Sequence, residues 1–221
     1  PPRSTLFPYT TLFRSVPKRV IALCPQHRPG GARLALWPSG SWQTPLGDVP
    51  VDAAFCRALA ARVPAIENDP EAHLDEHSIE IQLPFLLARN PGFSLVPLRI
   101  SDLSFADCEA LALALAESIT AAGGETLLLA SSDMSHEPCL ERVLANDALA
   151  RERISAFDAR GLYETVTAKA ITMCGVLPAV VAWLAAGHLG AKAAKEVAYA
   201  TSYDVSGRAD YVVGYSAARA E

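Results

Sequence analysis

Leu127-Leu128-Leu129-Ala130 runs directly into Ser131-Ser132-Asp133-Met134-Ser135-His136, and the same layout occurs earlier, where Val20-Ile21-Ala22-Leu23 runs into Cys24-Pro25-Gln26-His27. Apolar runs this short, bounded by turn residues, predict central strands of a parallel sheet covered on both faces. In such sheets ligands sit outside the carboxyl ends of the strands. Two strand ends that each carry a histidine therefore predict one pocket, suited to metal binding or proton transfer.

Outward from these strands the pattern alternates strand and helix, as an α/β fold requires. Asp52 reads as the N-cap of a helix reaching Val63, with Phe55, Leu59 and Val63 on one face. The stretch with Trp37, Trp42 and Pro45 reads as a short hairpin or an extended excursion. A second helix is predicted from Asp75 towards Ala88, kinked or ended by Pro84. Phe93 to Ile100 reads as a strand, and Ser104 to Ala122 as a helix stopped by Gly123-Gly124. After the second buried strand come a helix from Glu141 to Phe157, a shorter one from Leu162 to Ala168, and an apolar helix after Cys174. Glu196 to Tyr203 and Tyr211 to Ala218 read as closing strands joined by a Ser206-Gly207 turn. The prediction is one α/β domain with a mostly parallel central sheet and helices on both faces.

Residues 1–15, PPRSTLFPYTTLFRS, read in one frame as the translation of a short sequencing adapter. They lack an initiating Met and show neither the basic region nor the apolar run of a signal peptide. They are set apart as an artefact, the domain is assigned to residues 16–221, and a native segment is expected to precede it.

Bulk properties exclude several classes. Hydrophobic residues make up 51% of the chain and charged residues 19%, which fits a folded globular protein and not a disordered one. A net charge of −5 with no cluster of Lys or Arg gives no electrostatic footprint for nucleic acid or an anionic membrane. The longest apolar run, Gly175 to Gly190, is interrupted by Pro178 and His188, so a soluble protein is expected. Five cysteines without a CxxC pair fit a reducing cytoplasmic setting, with most of the thiols buried.

Beyond His27 and His136, three features bear on chemistry. His77 lies among carboxylates in Asp75-Glu76-His77-Ser78-Ile79-Glu80; on a helix it would share a face with Glu80, which could fix its tautomer. His73 and His77 would stand one helical turn apart, a weak chelating pair, and the competing reading is an acid-rich first turn that complements the helix dipole. Cys174, just ahead of an apolar helix, is either an activated thiolate or an inert buried thiol. Phosphate-binding loops, dinucleotide fingerprints and nucleophile elbows are absent, so nucleotide and α/β-hydrolase chemistry have no local support.

Taken in order, Cys24-Pro25-Gln26-His27, Thr44-Pro45-Leu46-Gly47, Glu76-His77-Ser78-Ile79-Glu80, Ser131 to His136, Met173-Cys174-Gly175, Ala200-Thr201-Ser202 and Val212-Val213-Gly214-Tyr215 resemble the Memo family, known in bacteria and archaea as AmmeMemoRadiSam system protein B. That resemblance implies the fold of class III extradiol dioxygenases and a pocket similar to their non-haem iron site. It makes His27 and Cys174 metal ligands and His136 the acid/base, with Asp133 and His77 lining or orienting the site. Iron is the implied cofactor, and a thiolate ligand would also admit copper or zinc. The implied function is a metal-dependent oxidoreductase of unknown small-molecule substrate. The alternative is a non-catalytic ligand- or protein-binding member of that system, with radical-SAM and AMMECR-like proteins as possible partners. Two departures stand out. The family has Gly-Pro-Ser-His where this chain has Cys24-Pro25-Gln26-His27, which raises Cys24 as a substitute thiolate. The family also carries a further ligand histidine in an Ala-Pro-His-Ala-Gly-Tyr segment upstream, together with a strand of the sheet, and neither is found here ahead of His27.

Overall fold

The computed structural model describes residues 16–221, so the reading of residues 1–15 lies outside the described residues. Strand β1 (Arg19–Cys24) is flanked by a strand on each side. It pairs in parallel with β6 (Ser94–Ile100) on one side and with β7 (Thr126–Ala130) on the other. Beyond β6 lie β2 (Leu34–Leu36), which is antiparallel to it, and β5 (Ile66–Asn68), giving the order β5-β2-β6-β1-β7.

Side chains of β1 alternate between two cores, as the two-residue period of a strand dictates. Ile21 and Leu23 point into the larger core with helices α1 (Ala53–Arg62), α3 (Phe105–Ala122) and α6 (Val176–His188). Val20, Ala22 and Cys24 point into a smaller core beneath the short helix α2 (Leu83–Leu87) and the hairpin of β3 (Ser41–Thr44) and β4 (Gly47–Pro50). Helices thus cover both faces, unequally. No helix among the described residues is long and apolar enough to cross a membrane.

The caps agree with the sequence signals. Asp52 accepts the Phe55 N–H, and Ser104 forms a reciprocal capping box with Asp107 at the start of α3, which Gly123 ends.

Four expectations are corrected. Strand β7 is not central: it is an edge strand, half-buried throughout, because no strand among the described residues pairs with its outer side. The helix predicted from Asp75 is replaced by two 3-10 turns, Glu71–His73 and Glu80–Gln82, followed by α2. Pro84 lies in the first turn of α2, where its missing N–H costs nothing, so it starts a helix instead of kinking one. The closing strands, β9 (Ala194–Thr201) and β10 (Val212–Ala220), pair antiparallel but are linked through the short helix α7 (Ser202–Ser206), not by a tight turn. They form a separate three-stranded sheet with β8 (His136–Glu137).

That second sheet is bonded to the loop that follows β7 through Asp147, a fully buried carboxylate on α4 (Leu140–Ser155). One oxygen accepts the Ser135 N–H at 2.8 Å and the Ser135 hydroxyl at 2.5 Å, and the other accepts the Tyr199 hydroxyl of β9 at 2.7 Å. Gly214 of β10 packs so close that a Cβ there would stand 1.7 Å from the carboxylate. Met134 and Ser135 exchange backbone hydrogen bonds with Gly214, closing the contact.

Asp147→Ala would leave the Ser135 and Tyr199 donors buried without an acceptor. It is expected to lower unfolding free energy by roughly 3 kcal/mol. Asp147→Asn keeps the oxygen facing Ser135 and offers an amide to the Tyr199 oxygen, so its expected loss is only about 1 kcal/mol. Urea unfolding of both variants measures the difference.

Candidate active site

Past its last strand residue, the β1–β7 ladder continues by one more hydrogen bond, from Ser131 N–H to the Leu23 carbonyl at 2.9 Å. The loops that follow the two strands therefore leave the sheet side by side, with His27 on one and Asp133 and His136 on the other. Gln82, ahead of α2, reaches towards the Ser131 hydroxyl at 3.5 Å.

On the first loop His27 is held by Glu76. The carboxylate accepts the His27 backbone N–H at 3.0 Å and lies 2.9 and 3.0 Å from Nδ1 through its two oxygens. It also accepts the Ser78 N–H at 3.0 Å and the Ser78 hydroxyl. Burial opposes ionisation of Glu76, but the hydrogen bonds from Ser78 and His27 outweigh it and hold the carboxyl down at about 2. The His77 ring lies 4.8 Å from the His27 ring, and its side chain is 60% exposed. Among the described residues, His27, Glu76 and His77 form the one group of three potential metal-binding side chains with ligand atoms within 4.8 Å of one another.

The second loop is tied to Cys174 and Thr172 on the segment that precedes α6. Cys174 Sγ accepts the Asp133 N–H at 3.2 Å, and the Ser132 hydroxyl accepts the Gly175 N–H at 2.9 Å. Gly175 is required here, since a Cβ would meet the Ser131 carbonyl oxygen at 2.4 Å and the Ser132 Cβ at 2.5 Å. Burial pushes the Cys174 thiol up, and the hydrogen bond from Asp133 opposes that shift only in part. The thiol is thus neutral in the metal-free protein, unlike the helix-activated thiolate the sequence allowed. His136 Nδ1 faces the Thr172 carbonyl at 2.9 Å, while Nε2 lies 3.4 Å from Asp133 Oδ2. Both nitrogens face oxygens, so the doubly protonated ring is favoured. The Asp133 contact raises the His136 pKa above 6.5, with burial opposing it.

The predicted residues accordingly fall into two clusters at one sheet edge: His27 with His77, and Cys174 with Asp133 and His136. Three sequence readings fail. Glu80 does not partner His77, because that segment is not helical; the carboxylate beside it is Glu76, at 3.7 Å. His73 does not pair with His77 either: it is buried, with Nε2 directed at the Ala35 carbonyl at 3.0 Å. Cys24 is fully buried in the smaller core, where burial and the nearby Glu76 charge keep its thiol protonated. Glu76, Thr172 and Asp147 were missed. Asp147 had a signal, because it shares the buried stripe of α4 with Val143, Ala150 and Ile154, an acid where the spacing calls for an apolar residue.

The family described as Memo-like protein matches residues 7–219. A MEMO1 family protein of Saccharolobus solfataricus is 42% identical over 205 residues, covering 92% of this chain and 72% of the relative. Another, from Saccharolobus islandicus, is 40% identical over 213 residues, covering 96% and 75%. One from Methanopyrus kandleri is 35% identical over 211 residues, covering 95% and 75%.

His136 provides the pH test. A histidine whose pKa is raised on folding adds stability that is complete below the unfolded value of about 6.5 and is lost as pH rises through the folded value. The His136 ring resonances are expected to titrate with a midpoint above 6.5, and Asp133→Asn is expected to lower that midpoint. NMR titration of both proteins reads the shift.

Proposed function

The chain belongs to the Memo-like protein family, and from that premise we propose that its pocket is the centre of a metal-dependent oxidoreductase acting on a small molecule. The observation that carries the proposal is a carboxylate-held imidazole on the loop after β1, with a thiol and a proton-holding histidine tied to the loop after the neighbouring strand β7. The residues suit a metal. With Nδ1 occupied by Glu76, the His27 nitrogen left to ligate is Nε2, the division of roles typical of ligating histidines. Cys174 accepts a peptide N–H at sulfur, a contact that also stabilises a thiolate.

In this reading His27 Nε2 and Cys174 Sγ hold non-haem iron, which when bound supplies Lewis-acid polarisation and electron transfer to a coordinated substrate. Copper or zinc would also accept a thiolate–imidazole set. His136 gives or takes a proton at Nε2, Asp133 steadies the charged ring, and the Thr172 carbonyl fixes the orientation by accepting a hydrogen bond from Nδ1–H. His77, exposed beside His27, lines the opening. Catechol-type substrates enter only by analogy of fold. Radical-SAM and AMMECR-like proteins are the partners to test, and the rival reading is a binding protein that uses the same pocket without turnover.

Anaerobic loading with ferrous iron, desalting and metal analysis test the proposal. Wild-type protein is expected to retain close to one iron per chain. His27→Ala and Cys174→Ala are each expected to retain at least tenfold less, while His136→Ala keeps its metal. A folded wild-type protein that retains none overturns the metal reading. Turnover found by substrate screening and abolished in His136→Ala favours the enzyme over the binder.

A further inference from the structure

We propose that Glu76 is a positioning residue that fixes His27 in the tautomer protonated at Nδ1, so that Nε2 is an open lone pair before any metal or substrate arrives. Its consequence for metal binding rests on His27 being a ligand; the tautomer itself does not.

A carboxylate can only accept hydrogen bonds, so whatever faces it must donate. Glu76 is 4% exposed and its surroundings are donors: His27 N–H, Ser78 N–H and the Ser78 hydroxyl. His27 Nδ1 lies almost equally far from both carboxylate oxygens and must therefore carry a proton. A neutral imidazole with Nδ1 protonated has its lone pair on Nε2. Free histidine in water prefers the opposite tautomer, so the protein reverses an intrinsic preference. The acceptor that does this is well set, because Ser78 and the His27 backbone also direct hydrogen bonds at it.

The clamp has two points. The same carboxylate holds the backbone N–H and the ring nitrogen of His27, which restricts the ring as well as its protonation. His77 does not compete: its Nδ1 is 3.7 Å from Glu76 Oε1, beyond hydrogen-bond distance.

Glutamine is the discriminating replacement. It has one acceptor oxygen where Glu76 uses two. With the amide NH2 turned towards His27, Nδ1 must become an acceptor and the proton moves to Nε2. With NH2 turned towards Ser78, it meets the Ser78 N–H, donor against donor. Either arrangement weakens the control of His27 while changing the side-chain volume very little.

Two-bond 1H–15N correlation spectra of metal-free, 15N-histidine-labelled protein, taken at a pH where imidazoles are neutral, test this, with His27→Ala giving the assignment. Wild-type His27 is expected to show a protonated Nδ1 and an unprotonated Nε2. Glu76→Gln is expected to show the reverse or a mixture, and to bind ferrous iron roughly 10- to 100-fold more weakly. Ser78→Ala, which removes one donor to Glu76 but leaves the His27 contact, is expected to keep the wild-type tautomer, separating the role of Glu76 from general loosening of the loop. A wild-type spectrum with Nε2 protonated overturns the proposal whether or not Glu76→Gln folds. So does a folded Glu76→Gln protein with unchanged tautomer and affinity. A protonated Nδ1 in a wild-type protein that binds no iron overturns the metal reading instead and leaves the role of Glu76 standing.

Discussion

Parallel pairing of β1 on both sides is the constraint from which the site follows. Parallel strands in register end at the same level, and the Ser131 N–H to Leu23 carbonyl bond carries the register into the loops. A shift of one residue would send Ile21 and Leu23 into the smaller core and Val20, Ala22 and Cys24 into the larger one. Both faces of β1 are buried, so fit rather than burial favours the observed register: the swap would overfill the smaller core and leave voids in the larger, at about 1–3 kcal/mol per misfitted side chain. The strand pairing that folds the sheet thus also sets the loops bearing His27 and His136 side by side. No long-range contact between those loops is needed to bring them together.

What the sheet does not determine is the orientation of the side chains within the loops, and here buried acids act. Glu76 and Asp147 are both almost wholly removed from water, which would be costly for an unpartnered carboxylate. Each instead accepts several hydrogen bonds: Glu76 from His27 and from its own turn, Asp147 from Ser135 beside His136. The two acids divide the task. Glu76 joins the first loop to the segment ahead of α2, and Asp147 joins the second loop to α4 and, through Tyr199, to the second sheet. Neighbouring Arg151 extends this anchor, stacking 3.9 Å over the Tyr199 ring and pairing with Glu196 on the same strand.

Legibility in the sequence follows the same division. Strands β1 and β6, the capped helices α1 and α3 and the positions of His27 and His136 were readable, because periodicity and capping are local signals. The segment from Asp75 to Gln82 was misread because its shape is imposed from outside: His73 just ahead of it is directed at the Ala35 carbonyl and Glu76 at His27, and these contacts hold the chain out of a continuous helix until α2 begins. With no helix there, the i, i+3 argument that linked His77 to Glu80 loses its geometry. Strand β7 reads as buried because Leu127, Leu128 and Leu129 are apolar on both faces, yet an apolar run cannot announce whether a neighbouring strand will pair with it. Asp147 was readable and went unused, since an acid on the apolar stripe of a helix is a mark of a buried polar contact.

The charge states of the site bear on how it would receive a cation. Glu76 is committed as an anion, but its lone pairs already serve His27 and Ser78, so its charge reaches the opening only through the His27 ring. Cys174 is neutral, and His136 carries a proton shared in direction with Asp133. Were Cys174 to ligate a cation it would first have to lose its proton, and affinity would then depend on proton release at the thiol. The Asp133 N–H is already in place to stabilise the sulfur when it does so. Gly175 permits this arrangement: the loop of Ser131 and Ser132 lies against its backbone too closely for any side chain, and that close approach is what sets Cys174 beside Asp133.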